Sequence, residues 1–226
     1  MGKKVLVVCA HPDDEVLGVG GMIARHILLG DEVNIMFMTD GLSSRDSVVN
    51  SDSINFRRSL AYKACAVLGV GVESLTFFKF SDNSMDKHTL LDIVKSIESK
   101  IRDYSPYVIY THHSSDLNID HRLTYQAVMT ACRPVPQFCV KEIYSFEVLS
   151  STNWATAQHN NFVPNYYVDI STTIEMKIKA LEVYDNEMRK YPNARSYEAI
   201  KALSLYRGTT VGYKSAEAFF VERILA

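Results

Sequence analysis

The sequence lacks any marked excess of one charge: 24 lysines and arginines face 26 aspartates and glutamates, for a formal net charge of −2. A dedicated nucleic-acid binder carries a basic face or tail, and none is visible, so no nucleic-acid partner is expected. Long apolar runs are missing too. No stretch approaches the ~18 residues that a membrane span needs. Lys3-Lys4 before the apolar run Val5 to Ala10 faintly mimics a secretion signal, but the run stops at His11-Pro12-Asp13-Asp14-Glu15. Leu6 stands where a myristoylation signal wants Ser or Thr. A cytoplasmic location with no membrane attachment is therefore expected. Cysteine is sparse: Cys9, Cys65, Cys132 and Cys139 are widely spaced in mostly apolar surroundings. With neither CxxC spacing nor the density of a disulfide scaffold, they read as buried free thiols. There is no internal repeat, low-complexity tract or flexible linker, which favours one domain across 1–226.

What is present is an alternation of strand and helix signals. Lys4 to Cys9 is a continuous valine-rich run, as expected of a strand covered on both faces. Val16 to Leu29 follows as a helix stopped by Gly30, and Glu32 to Met38 as a second strand. Leu42 to Asn55 is polar and nearly aperiodic, either a mobile active-site loop or an exposed connection. Further helices are expected over Phe56 to Leu68, His88 to Tyr104, Leu123 to Ala131, Ile174 to Arg189 and Tyr197 to Tyr206. Further strands are expected within Ser74 to Phe80 and over Tyr107 to Thr111, Cys139 to Val148 and Tyr166 to Ile170. The pattern predicts an α/β fold: a Rossmann-like, mostly parallel sheet with helices on both faces. A C-terminal helical and strand extension, approximately 150–226, packs against it.

Open α/β sheets bind ligands outside the carboxyl ends of their strands. His11, Asp13 and Asp14 follow the first strand, Thr39 and Asp40 the second, and His112 to His121 the Tyr107 to Thr111 strand. His11 and Asp14 can face one point beyond the strand, and a third ligand from the later loop would complete a His-Asp-His metal site with water in the open position. Such an ion activates water and polarises a carbonyl, as amide hydrolysis requires. Asp13 beside it is a candidate general base. The competing reading is plainer: Asp13-Asp14-Glu15 would decorate the first turn of a helix, where acidic groups suit the dipole. Gly18-Val19-Gly20-Gly21 lies inside the helix, not directly after the strand, which argues against a dinucleotide fingerprint.

Ala10-His11-Pro12-Asp13-Asp14-Glu15 resembles the first motif of the LmbE-like, or PIG-L, family of zinc-dependent N-acetylglucosaminyl de-N-acetylases. Asp116-Leu117-Asn118-Ile119-Asp120-His121-Arg122 resembles the second. The likeness extends through Thr39-Asp40-Gly41, the helix from Arg57 to Gly69 and Ala216-Glu217-Ala218-Phe219. It implies zinc, or another divalent transition metal, on His11, Asp14 and His121, with Asp13 as base and Asp120, adjacent to His121, as a carboxylate that helps to hold the motif and tune its electrostatics. Arg57 and Asp40 become candidate substrate contacts, although neighbouring Arg58 leaves the arginine register open. Several relatives carry histidine at the position of Asn118. Asparagine can donate to an oxyanion but cannot deliver a proton. Either Asn118 supplies the electrostatic part alone, or His113, or less readily His112, brings the proton. Trp154, Phe162, Tyr166 and Tyr167 read as packing more readily than as a sugar platform. The implied activity is hydrolysis of the acetamide of an amino sugar, sugar conjugate or nucleotide sugar. Another small amide, or a noncatalytic sugar or metal binder, is the alternative. The implied partner is a small amino-sugar conjugate, and a homo-oligomer is compatible with the family.

Overall fold

The computed structural model describes residues 2–42, 51–135, 140–155 and 161–226. Its strands are β1 (Lys4–Cys9), β2 (Glu32–Thr39), β3 (Leu75–Phe80), β4 (Val108–His112), β5 (Glu142–Phe146), β6 (Tyr166–Asp169) and β7 (Ala216–Ile224). Its α-helices are α1 (Asp14–Leu28), α2 (Ser51–Val67), α3 (Leu90–Tyr104), α4 (Ile119–Ala131), α5 (Ile174–Val183) and α6 (Tyr197–Thr209). The strands form one seven-stranded sheet in the order β3-β2-β1-β4-β5-β7-β6. Neighbouring strands from β3 to β5 run parallel, while β7 pairs antiparallel with both β5 and β6.

Successive side chains of a strand face opposite sides, so a continuous apolar run feeds two cores at once. Val5, Val7 and Cys9 of β1 join Ile35 and Phe37 of β2 in the layer packed beneath α1, α2 and α5. Leu6, Val8, Met36 and Met38 face the opposite layer, with α3 and α4. Sheet order reverses at β1, between β2 and β4, and the crevice at that switch point is where an open α/β sheet presents its ligand site.

The glycines of α1 are explained by packing. A Cβ on Gly18 would lie 2.2 Å from the Phe146 ring, and one on Gly21 would lie 2.9 Å from Ile170. The close approach lets a buried ion pair reach the helix backbone. Glu217 of β7 accepts from the backbone N–H groups of Gly21 and Met22, at 2.8 and 2.7 Å. Lys177 of α5 donates to Glu217 at 2.7 Å and to the Leu17 carbonyl at 2.9 Å. Both side chains are buried. Removing one member of such a pair strands a charge out of water. Lys177→Met is therefore expected to lower unfolding free energy by about 3–5 kcal/mol in urea titrations. Adding Glu217→Gln should recover part of that loss. Strict additivity of the two substitutions would show that the pair is not coupled.

Differences from the sequence expectations have local causes. Helix α2 begins at Ser51, so 51–55, expected as loop, is helical. Asp52 and Asn55 in its first turns are polar and exposed, which hid the period. Residues 43–50 of that stretch lie outside the described residues, as does Cys139 at the start of the expected Cys139 to Val148 strand. Helix α5 ends at Val183, not Arg189, giving way to a 3₁₀ turn over Asp185–Glu187. Strand β7 was not expected. It inserts between β5 and β6, so the C-terminal segment completes the sheet as well as packing against it. Cys9 and Cys65 are buried free thiols, as expected, and Cys132 is buried. Among the described residues no helix is long and apolar enough to cross a membrane.

Candidate metal centre and active site

The turn after β1 is built by its own side chains. Asp13 adopts φ 115° and ψ −25°, a strained backbone for any residue but glycine. Its N–H donates to Glu15 at 2.8 Å, and Tyr184 donates to the other Glu15 oxygen at 2.8 Å. Burial raises the Glu15 pKa to about 8 against the pull of these hydrogen bonds. The His11 N–H donates to Asp14 at 2.8 Å. Gly41 lies against this turn: a Cβ there would meet Pro12 at 3.1 Å.

His11 Nδ1 and Asp14 Oδ2 are 3.2 Å apart, His121 Nε2 and Asp14 Oδ2 3.3 Å, and His121 Nε2 and His11 Nδ1 3.2 Å. Ligands held at ~2.0–2.1 Å around a tetrahedral ion sit about 3.3 Å from one another, so this triangle fits a metal. These three residues are also a buried donor group able to hold an ion. Asp14 Oδ1 is buried without a hydrogen-bond partner, which is costly unless a cation is supplied. In the metal-free chain protons answer the same demand. Burial alone would lower the His121 pKa, but Asp14 and Asp116 raise it to about 9. Burial is likewise outweighed at His11, whose pKa is raised by Asp120, Asp14 and Asp82.

Carboxylates behind the cluster aim the rings. Asp120 Oδ2 lies 3.0 Å from His11 Nε2 and also accepts the Asn83 N–H at 2.6 Å, while its Oδ1 accepts from Met85 at 3.0 Å. Thus the ring that Asp120 steadies is that of His11. Asp82 Oδ1 is 3.2 Å from the same His11 nitrogen. His121 is aimed by Asp116, whose Oδ2 lies 3.2 Å from Nδ1. Asp116 accepts in turn from Ser151 and, at 2.6 Å, from Thr152. Although burial opposes it, His121 and these hydroxyls hold the Asp116 carboxyl well below its usual range.

An open cavity of about 420 Å³ adjoins the cluster, lined by His11, Asp13, Asp82, Asn118, Arg57 and Arg195 among others. Asp13 Oδ2 accepts from Arg57 at 3.1 Å and from Arg195 at 3.0 Å. Burial raises the Asp13 pKa, and the two arginines oppose that rise. Arg57 also donates to the Pro12 carbonyl, pairs with Glu187 at 2.7 Å and lies over the Tyr184 ring. Arg58 instead lies over Phe77, so of the two neighbouring arginines it is Arg57 that lines the cavity.

Of the other sequence candidates, Asn118 lines the cavity, whereas His113, His112 and Asp40 are not in its lining. Asn118 caps α4, its Oδ1 accepting from Asp120 at 2.8 Å, and its amide donates to Asn83 at 2.8 Å. His113 does not line the cavity; its ring meets Phe162 edge-on at 5.2 Å. His112 accepts the Ala10 N–H through Nε2 at 2.9 Å, tying β4 to the end of β1. Burial drops its pKa to about 4. Asp40 closes a turn by accepting from Leu42 at 2.9 Å and is absent from the cavity lining. Tyr166 stacks on Tyr144, while Trp154 stays half exposed. Sequence reasoning missed Asp82 and Asn83, although they follow β3 and the strand-end rule would have found them. It also missed Glu187 and Arg195, for which no local signal exists.

Comparison with known proteins agrees with this geometry. The chain is 31% identical to the uncharacterized deacetylase YaiS of Escherichia coli K12 over 60% of this chain and 71% of that protein. It is 27% identical to the diacetylchitobiose deacetylase of Thermococcus kodakarensis over 95% of this chain and 81% of that one. Its fold matches GalB, the 4-carboxy-2-hydroxymuconate hydratase of Pseudomonas putida KT2440, with TM-score 0.79 at 20% identity, covering 99% and 98% of the two chains. A shared fold does not by itself select a reaction. Residues 6–132, more than half of the chain and including both motif turns, match the model of the GlcNAc-PI de-N-acetylase family, PIG-L, and the protein belongs to that family.

Proposed function

We propose that this protein is a zinc-dependent hydrolase that removes acetyl from an N-acetylated amino sugar or a conjugate of one, releasing acetate and a free amine. The carrying observation is the meeting of Asp13 with the His11, Asp14 and His121 cluster at one cavity. A site that only bound metal or sugar would need no buried carboxylate held beside the ligands in a strained turn. Two imidazoles and a carboxylate suit zinc, and other divalent transition metals fit the same donors. When bound, zinc lowers the pKa of coordinated water and polarises the acetamide carbonyl.

The chain's own residues supply the remaining steps. Asp13 takes the proton of the attacking water, with two guanidinium groups fixing its carboxylate. Asn118 has one N–H committed to Asn83 and a second for a developing oxyanion. It cannot release a proton, and His113 faces Phe162, so the proton taken by Asp13 is the one returned to the leaving nitrogen. The polar cavity, with Arg57, Asp82, Asn83 and Glu187, suits sugar hydroxyls. The relatives named as deacetylases, one of them for diacetylchitobiose, support an acetylated amino sugar as substrate.

The test is amine release from N-acetylglucosamine, N,N′-diacetylchitobiose, glycosides of N-acetylglucosamine and nucleotide sugars. Metal-free protein should be silent, and stoichiometric zinc should restore turnover. Failure to bind zinc sinks the site. Tight sugar binding without turnover in the zinc-loaded protein makes it a binding protein instead.

A further inference from the structure

Arg57 and Arg195 both reach Asp13, but they are held differently. Arg57 is enclosed: its side chain is 4% exposed, and it is shared between Asp13, the Pro12 carbonyl and Glu187. Arg195 comes from the far end of the chain, is 22% exposed and stands on the cavity wall. Its backbone is fixed on both sides. Its N–H donates to Asn193 at 2.8 Å and its carbonyl accepts from Arg189 at 2.8 Å. The following Ser196 caps α6 by accepting from Ala199 at 3.1 Å.

The guanidinium spans two parts of the site. Nη1 donates to Asp13 at 3.0 Å, and Nε donates to Ser150 Oγ at 3.0 Å. Ser151 and Thr152, the next residues, are those that hold Asp116 against His121. We infer that Arg195 is a positioning residue: one rigid fork ties Asp13 to the segment that aims His121, and so fixes the base relative to the metal. The inference rests on the reading of Asp13 as the base. A planar guanidinium with donors in fixed directions can span two acceptors, whereas an ammonium supplies only a point charge. The alternative is a loop-stabilising ion pair that affects melting and nothing else.

The two are separated by kinetics with the zinc-loaded protein. Misplacement of a catalytic group by an ångström costs about 100-fold. Arg195→Met is expected to lower kcat by about 10- to 100-fold, with KM and zinc affinity essentially unchanged. Arg195→Lys should recover only part of the loss, and it carries the comparison if Arg195→Met does not fold. Because Arg195 acts through Asp13, the double variant Asp13→Asn/Arg195→Met should be no slower than Asp13→Asn alone. Additive losses, a rise in KM at unchanged kcat, or wild-type kinetics would each overturn the role while leaving the hydrolase reading intact. Wild type that binds zinc yet releases no amine from any amide in the panel removes the base, and this inference falls with it.

Discussion

Asp13→Asn should lower kcat for amine release by roughly 100- to 10,000-fold, the usual contribution of a general base, while zinc affinity stays within a few fold. Asparagine is the informative replacement because it keeps the size of the side chain and tolerates the positive φ at this position better than alanine. It still offers one oxygen to Arg57 and Arg195 but cannot take a proton from water. Arg57 keeps Glu187 as a charged partner, so the fold should survive with a cost on the order of 1–3 kcal/mol for a weakened charged hydrogen bond. Turnover, zinc competition against a chelator and a melting curve together check the point. Activity within threefold of wild type would remove Asp13 from the chemistry. Simultaneous loss of zinc would make it a ligand or a structural support.

How far the sequence was legible depended on whether the governing forces were local. β1 was readable as an all-apolar strand because both its faces are covered, and the opposite layers claim alternate residues. His11, Asp13, Asp14 and His121 were readable because strand ends locate ligand sites and two short motifs carry them. The failures lie where distant chain segments decide. α5 stops at Val183 so that Tyr184 and Glu187 can reach Glu15 and Arg57, which its helical period could not disclose. β7 begins Ala-Glu-Ala, a poor strand signal, because Glu217 is placed for the backbone of α1 and for Lys177. Asp120 neighbours His121 in sequence, but a helix turns adjacent residues apart, and its carboxylate faces His11 at the end of the neighbouring strand β1. Asp116, two residues before the cap of α4, takes His121 instead.

Zinc should stabilise the wild-type chain, and His121→Ala should abolish that effect along with activity. Binding to the folded state alone contributes about 2.7 kcal/mol at 100 times Kd. For a chain of this length that corresponds to a rise in Tm of roughly 5–10 °C. The physical source is visible in the cluster itself, where three converging donors and the unpartnered Asp14 Oδ1 demand positive charge. Protons meet the demand at lower pH. His121, raised from 6.5 to about 9, contributes stability that is complete below 6.5 and is lost as pH rises through 9. The metal-free protein should therefore lose stability across that window, while the zinc-bound protein, whose ion replaces the proton, should not. Zinc binding should also release protons, and its apparent affinity should rise with pH over the same range. His121→Ala leaves His11 and Asp14 facing a vacant corner, and two donors hold zinc far more weakly than three. Differential scanning at pH 6 and pH 9, with and without zinc, reads all of these together. A zinc-dependent shift of equal size in His121→Ala would place the ion elsewhere on the chain and dissolve the assigned site.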